Sequence, residues 1–163
     1  MKDKLKVLDK ALIDGILELA RGSQKKRAMY SFHEQSESLQ RMLYAGLEAT
    51  YVRPHKHQAP VKLEVYLIIQ GKAGLLVFDD AGQVKETIRL DPAGQVHVAE
   101  IPAGVWHSLV IDSKEAVFYE IIEGPYDPFT FKAFPGWAPE EDDVAGGMEY
   151  LQKLKQQLSQ QPT

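Results

Sequence analysis

Tyr51-Val52-Arg53-Pro54-His55-Lys56-His57, with Glu64 seven positions beyond, is the stretch whose reading decides the fold. On a strand, residues two apart point to the same face, so His55 and His57 present two imidazoles side by side. Pro60 falls in a short link, and the next strand is expected to begin at Leu63, so that Glu64 turns back toward the histidines across a hairpin. Further on comes Ile101-Pro102-Ala103-Gly104-Val105-Trp106-His107, where a Pro-x-Gly turn leads into another strand with His107 near its start. A lone His-x-His pair is commonly a surface accident. Joined to a strand-initial glutamate and a downstream Pro-x-Gly-x-x-His it is far more specific. Three imidazoles and one carboxylate suit one divalent transition-metal ion, whether Fe, Mn, Ni, Co or Zn.

Outward from that stretch the texture is β. Short runs rich in Val, Ile, Leu, Tyr and Phe predict strands near 28–33, 41–49, 50–57, 63–70, 73–79, 83–90, 96–101, 105–111 and 116–123. Turn residues separate them, as in Gln70-Gly71-Lys72, Asp79-Asp80-Ala81-Gly82 and Asp91-Pro92-Ala93-Gly94. Many short strands without intervening helices indicate a sandwich or barrel over 27–124. Before it, Leu5, Leu8, Leu12, Ile16 and Leu19 recur at helical spacing, predicting an N-terminal helix over 1–24 that Gly22 stops, with Arg21 in its last turn. After it, 125–143 carries four prolines together with Tyr126, Phe129, Phe131, Phe134 and Trp137, too aromatic for a disordered tail, and is expected to cover the barrel. A last helix is predicted over 140–158, with Val144, Met148, Leu151, Leu154 and Leu158 on one face, Glu140 to Asp143 at its start and a frayed end from Ser159.

Composition bounds the function. The chain has 163 residues, 44% hydrophobic and 26% charged, the profile of a single globular domain able to bury a core unaided. A net charge of −4 argues against a nucleic-acid partner, and the one basic cluster, Gln24-Lys25-Lys26-Arg27, reads as a solvated turn. With no cysteine, disulfides, thiolate metal sites and cysteine nucleophiles are excluded. No apolar run has membrane-spanning length, and Lys2, Asp3, Lys4 and Lys6 precede no apolar stretch of a signal peptide. A soluble, cytoplasmic protein is therefore expected.

Strand parity extends the site. Tyr51 and Arg53 are expected on the face of His55 and His57. An inward arginine needs an anion, either a substrate carboxylate or phosphate, or a structural partner such as Glu48, Glu64 or Glu120. On the first strand Arg27, Met29, Ser31 and His33 share one face, and His33 is either a site residue or a satisfied core histidine. His97, between two valines, is expected outside the metal shell. Leu109 and Ile111 follow His107 on one face as an apolar pocket wall, and Tyr66 shares the parity of Glu64. Glu120 points inward if Phe118 and Ile122 do, but Val117, Tyr119 and Ile121 fit an apolar face equally well. Candidate substrate-binding residues are thus Arg53, Tyr51, Arg27 and His33, and candidate proton-transfer residues are His33, Tyr66 and Glu120.

These motifs resemble those of the cupin superfamily. His55, His57 and Glu64 match its first motif, with six residues between Glu64 and Gly71, while Ala49 stands where a leading glycine is usual. Pro102, Gly104 and His107 match the second, with the glycine displaced to Gly94 and Ile111 in place of asparagine. Within that superfamily the chain resembles the WbuC family of cupin-fold metalloproteins through its N-terminal helix, Arg27 with His33, the Tyr51–His57 run, Gly124-Pro125-Tyr126-Asp127-Pro128 and Trp137-Ala138-Pro139-Glu140-Glu141. The resemblance implies one cupin domain over 1–163, a double-stranded β-helix or jelly-roll barrel with a helix at each end, and a setting among bacterial polysaccharide genes.

Four protein ligands leave two positions of an octahedral ion open, enough for a bidentate oxygen substrate or substrate plus dioxygen. Isomerisation, dioxygenation, decarboxylation and epimerisation all become accessible, and fold does not choose among them. The first reading is a metalloenzyme acting on a small sugar-like or anionic oxygen-rich molecule. The second is a ligand-binding or sensing module without turnover. A third, the metal as a structural staple, is weakest because the chain is large enough to fold without one. A homodimer is expected, since small barrels present an edge or face that needs cover.

Overall fold

The computed structural model describes residues 5–58 and 61–160. Pro60 and the charges at Lys2, Asp3 and Lys4 lie outside the described residues. Asp9 opens the first helix by accepting the backbone N–H of Leu12 at 2.9 Å, a side-chain cap. The elements run α1 (Lys10–Gly22), β1 (Arg27–Ser31), β2 (Leu39–Leu47), β3 (Glu64–Gln70), β4 (Ala73–Phe78), β5 (Val84–Leu90), β6 (Val98–Ile101), β7 (Trp106–Ile111), β8 (Glu115–Glu123) and α2 (Val144–Gln160).

All named strand pairs are antiparallel. One sheet has five strands in the order β1-β2-β8-β3-β6 and the other three in the order β5-β4-β7. The two form a mainly β jelly-roll, the cupin fold, with a helix at each end of the chain. The turn between β3 and β4 places Gly71 at φ +80°, where a Cβ would lie 2.1 Å from the Glu115 carbonyl oxygen, so only glycine fits. Between the sheets lies a core built from Tyr44, Tyr66, Ile68, Leu75, Leu109, Ile111 and Phe118. A second cluster lies under α1, where Ile16, Leu17 and Ala20 meet Phe32, Leu43 and Val117, and a third under α2, where Leu151, Leu154 and Leu158 meet Leu76, Phe78 and Val110.

Three expectations are corrected. Residues 50–57 do not form a strand. Pro54 has no N–H to donate, and the segment keeps only isolated bridges, His55 with His107 and Lys56 with Ala133. The first helix begins at Lys10, leaving Leu5 89% exposed ahead of it, and the face turned to the sheet holds Ile16, Leu17 and Ala20 while Leu19 stays 67% exposed. The last helix begins at Val144 rather than 140, because Asp143 turns its carboxylate onto the Gly146 N–H at 3.0 Å and caps it, and Val144 is exposed. That helix continues through Ser159 to Gln160.

Candidate metal centre

Three pieces of chain bring four side chains together. β3 contributes Glu64 from its first position, β7 contributes His107, and the bridged segment before β3 contributes His55 and His57. The bridge is reciprocal: His55 N–H donates to the His107 carbonyl and His107 N–H to that of His55, both at 2.9 Å. His57 is tied in by its carbonyl, which accepts the Gly104 N–H at 2.9 Å. Gly104 sits at φ +78° in the Pro102-Ala103-Gly104 turn, so the left-handed glycine orients that N–H. All four side chains are at most 2% exposed, and one ligand atom from each lies within 4.8 Å of all the others.

The hydrogen-bonding of the rings shows what the cluster can hold. His55 Nδ1 faces the Arg53 carbonyl at 2.9 Å, His107 Nδ1 faces the Val105 carbonyl at 3.0 Å, and His57 Nδ1 faces the Phe131 carbonyl. Each Nδ1 therefore carries the proton it donates, which leaves a lone pair on each Nε2 unless the ring is charged. Burial, then the charge of Lys132 and the neighbouring His107, holds His55 well below the usual histidine range, so that ring is neutral. All three Nε2 atoms and both Glu64 oxygens are buried without a hydrogen-bond partner. Glu64 Oε2 nevertheless lies 2.8 Å from His107 Nε2 and 3.3 Å from His57 Nε2. Burial opposes charge on Glu64, but when the His107 and His57 rings also carry a proton on Nε2, in place of a cation, their hydrogen bonds outweigh it and hold its pKa well below the ordinary carboxylate value. Convergent lone pairs and an ionised carboxylate, oriented from behind by backbone carbonyls, fit a divalent cation.

Beside the donors lies a chamber of about 90 Å³ that His55, Tyr44, Tyr66, Arg53, Leu109 and Glu120 help to line. Glu120 points inward with Phe118 and Ile122, settling the parity of β8, because Val117 and Tyr119 pack under α1 instead. Burial, then the nearby Glu64 charge, raises Glu120 to about 8. Burial, then Glu120 and Glu64, pushes Tyr66 well above its ordinary value. Leu109 lines the chamber wall as expected from its parity, while Ile111 lies deeper in the core.

Arg53 forms none of the ion pairs weighed for it. Its Nη2 donates to the Pro135 carbonyl at 3.2 Å, and its guanidinium carbon lies 4.8 Å from the centre of the Phe134 ring. Glu48 instead pairs with Lys155. Tyr51 does not share the face of Arg53: its hydroxyl donates to the Pro139 carbonyl at 2.9 Å and its ring packs beside Tyr150 of α2. Arg27 lines the chamber, but its Nη2 donates to both Glu141 carboxylate oxygens, at 2.8 and 2.7 Å, and its Nη1 to the Tyr51 carbonyl. His33 is not among the four donors. Its Nδ1 meets the backbone of Arg41, and the residue lines a separate outer cavity. His97 is exposed, with Nε2 beside the Gly94 carbonyl at 2.9 Å.

Sequence reasoning missed Tyr44, Lys132 and Lys62. Tyr44 is an interior residue of β2, where hydrophobic alternation does not mark a polar tip. Lys132, between Phe131 and Phe134, lines both cavities, and its place in a run of aromatics was the available signal. Lys62 is buried and donates to the carbonyls of Glu123 and Pro125, both at 2.9 Å.

Comparison with known proteins places this geometry. The family model described as "Domain of unknown function (DUF6016)" matches residues 8–90. No curated protein matches the chain. Among solved structures, TT1209 from Thermus thermophilus is similar at a TM-score of 0.54 and 22% identity, covering 73% of this chain and 97% of that one. The capsular polysaccharide assembling protein CapF from Staphylococcus aureus is similar at 0.56 and 18%, covering 69% of this chain but only 32% of CapF. A cupin 2 domain-containing protein from Halorhodospira halophila is similar at 0.50 and 14%, covering 80% and 81%. At these identities the likeness is one of fold.

Proposed function

The chain belongs to the DUF6016 family, and we propose that it is a metal-dependent cupin acting on a small, polar, oxygen-rich molecule. The observation that carries this reading is the set of partnerless donor atoms on His55, His57, Glu64 and His107, converging in a buried pocket. A divalent ion held there would supply Lewis-acid polarisation of a substrate oxygen. The chain's own groups do the rest. Arg53 offers a fixed positive charge for an anionic group of the ligand. Glu120, with a pKa of about 8, holds a proton at its carboxyl near neutrality, and Tyr66 keeps its hydroxyl proton. Val52 and Leu109 give the same wall an apolar surface.

The resemblance to the WbuC family favours a substrate from bacterial polysaccharide metabolism. The fold likeness to CapF, described as a capsular polysaccharide assembling protein, is in keeping with it. The lack of cysteine accords with a cytoplasmic setting. The alternative, a binding module without turnover, keeps the same site and differs only in whether the bound molecule emerges changed. The test begins with metal. Protein made without an affinity tag should carry close to one transition-metal ion per chain, and His57→Ala with His107→Ala should abolish it. Metal retained by a folded double variant refutes the ligand assignment.

A further inference from the structure

Two cavities open beside the candidate metal centre and share a wall. The inner is the chamber of about 90 Å³ reaching His55, and the outer, of about 460 Å³, is bounded by β1 and by the segment after β8. Met29, Glu120, Lys132 and Phe134 line both. The inner chamber contains donors that lack acceptors. Tyr44 is 7% exposed and its hydroxyl has no partner. Arg53 Nε is likewise buried without one. Among the described residues neither Arg53 nor Lys132 forms an ion pair, whereas Arg27 is held by Glu141. Buried donors are ordinarily satisfied, so these point to an acceptor brought by a ligand.

Charge and size narrow that acceptor. Even with Glu120 ionised, Arg53 and Lys132 beside a divalent centre with one carboxylate ligand leave a positive excess, which favours an anion. The inner chamber, at about 90 Å³, is the smaller of the two and suits a compact anionic head such as a carboxylate. The outer cavity is large enough for a ring-sized body. Ser31 and His33 offer it hydrogen bonds, while Tyr126 and Phe131 offer aromatic surface for C–H faces.

We propose that the two cavities are one binding site for a polyhydroxy carboxylate, its carboxylate held by Arg53, Tyr44 and Lys132 and its hydroxylated body lying in the outer cavity. This rests on the metal-centre reading of the same site. The test is calorimetry on protein of measured metal content, with glycolate, gluconate, sorbitol and glucose 6-phosphate as probes. Gluconate is expected to bind at least tenfold more tightly than glycolate, and sorbitol at least tenfold more weakly than gluconate. Tyr44→Phe and Arg53→Met should each weaken both carboxylates roughly tenfold with metal content unchanged. Ser31→Trp, which fills the outer cavity, should remove the advantage of gluconate and spare glycolate. Carboxylate binding by protein that, made without an affinity tag, takes up no transition metal would overturn the metal reading while supporting the anion site. Equal affinity for glycolate and gluconate, carboxylate binding indifferent to both Tyr44→Phe and Arg53→Met, or glucose 6-phosphate binding more tightly than gluconate would overturn the proposal.

Discussion

Lys62 is 1% exposed, with its ammonium on two backbone carbonyls and 5.3 Å from the centre of the Phe131 ring. Its surroundings pull its pKa down through burial, with Glu123 and Asp127 acting in the opposite sense. The same Phe131 presents its carbonyl to His57 Nδ1 and its ring to the His57 imidazole at 5.2 Å. Lys62 thus positions a metal donor through an intermediary. Lys62→Met keeps the stem volume and strands two buried carbonyls, so it should cost about 1–3 kcal/mol in urea unfolding. It should also weaken metal binding roughly tenfold in a competition titration, the usual cost of losing an outer partner of a ligand. Stability lost with metal affinity unchanged would reduce Lys62 to a structural role.

At the level of elements, the segment from Gly124 to Asp143 has little regular structure, yet it is fastened along its length. Lys56 and Ala133 exchange backbone hydrogen bonds at 3.1 and 2.9 Å, Arg53 and Tyr51 donate to Pro135 and Pro139, and Trp137 Nε1 donates to the Asp80 carbonyl at 3.1 Å. Its aromatics range widely in exposure: Phe129 is 92% exposed, Phe134 45%, Tyr126 39% and Phe131 8%. Chymotrypsin on the native protein should therefore cut after Phe129 before any other site in the segment, and Phe131 should resist. Rapid cleavage after Phe131 would show that the segment does not stay against the barrel.

At the scale of the whole molecule, α1 covers part of the five-stranded sheet and α2 the three-stranded one, but β1 ends its sheet with no strand beyond it among the described residues. Met29 and Tyr30 on that strand are exposed, as is Leu39 on β2. An uncovered edge with apolar side chains favours pairing with a second copy, and we propose a homodimer through this side. Light scattering at micromolar concentration should give twice the 18.3 kDa of the chain, and Met29→Lys with Tyr30→Lys should halve it. A particle of one chain mass in the unaltered protein refutes the dimer.

The sequence by itself determined the cluster of His55, His57, Glu64 and His107 and the class of fold, because both rest on short-range geometry. His55 and His57 are two apart, the Pro102-Ala103-Gly104 turn delivers His107, and the turn residues count out the strands. It did not determine which side of β8 faces inward. That strand is buried on both faces, with Val117 and Tyr119 under α1 and Phe118, Glu120 and Ile122 inside, so alternation carries no signal and only the packing of α1 decides. Nor did it determine the company of Arg53 or the roles of Tyr44, Lys62 and Lys132. Those depend on where the segment after β8 folds back. It is held by contacts between residues such as Lys62 and Pro125, 63 positions apart, and no local pattern encodes a contact of that range.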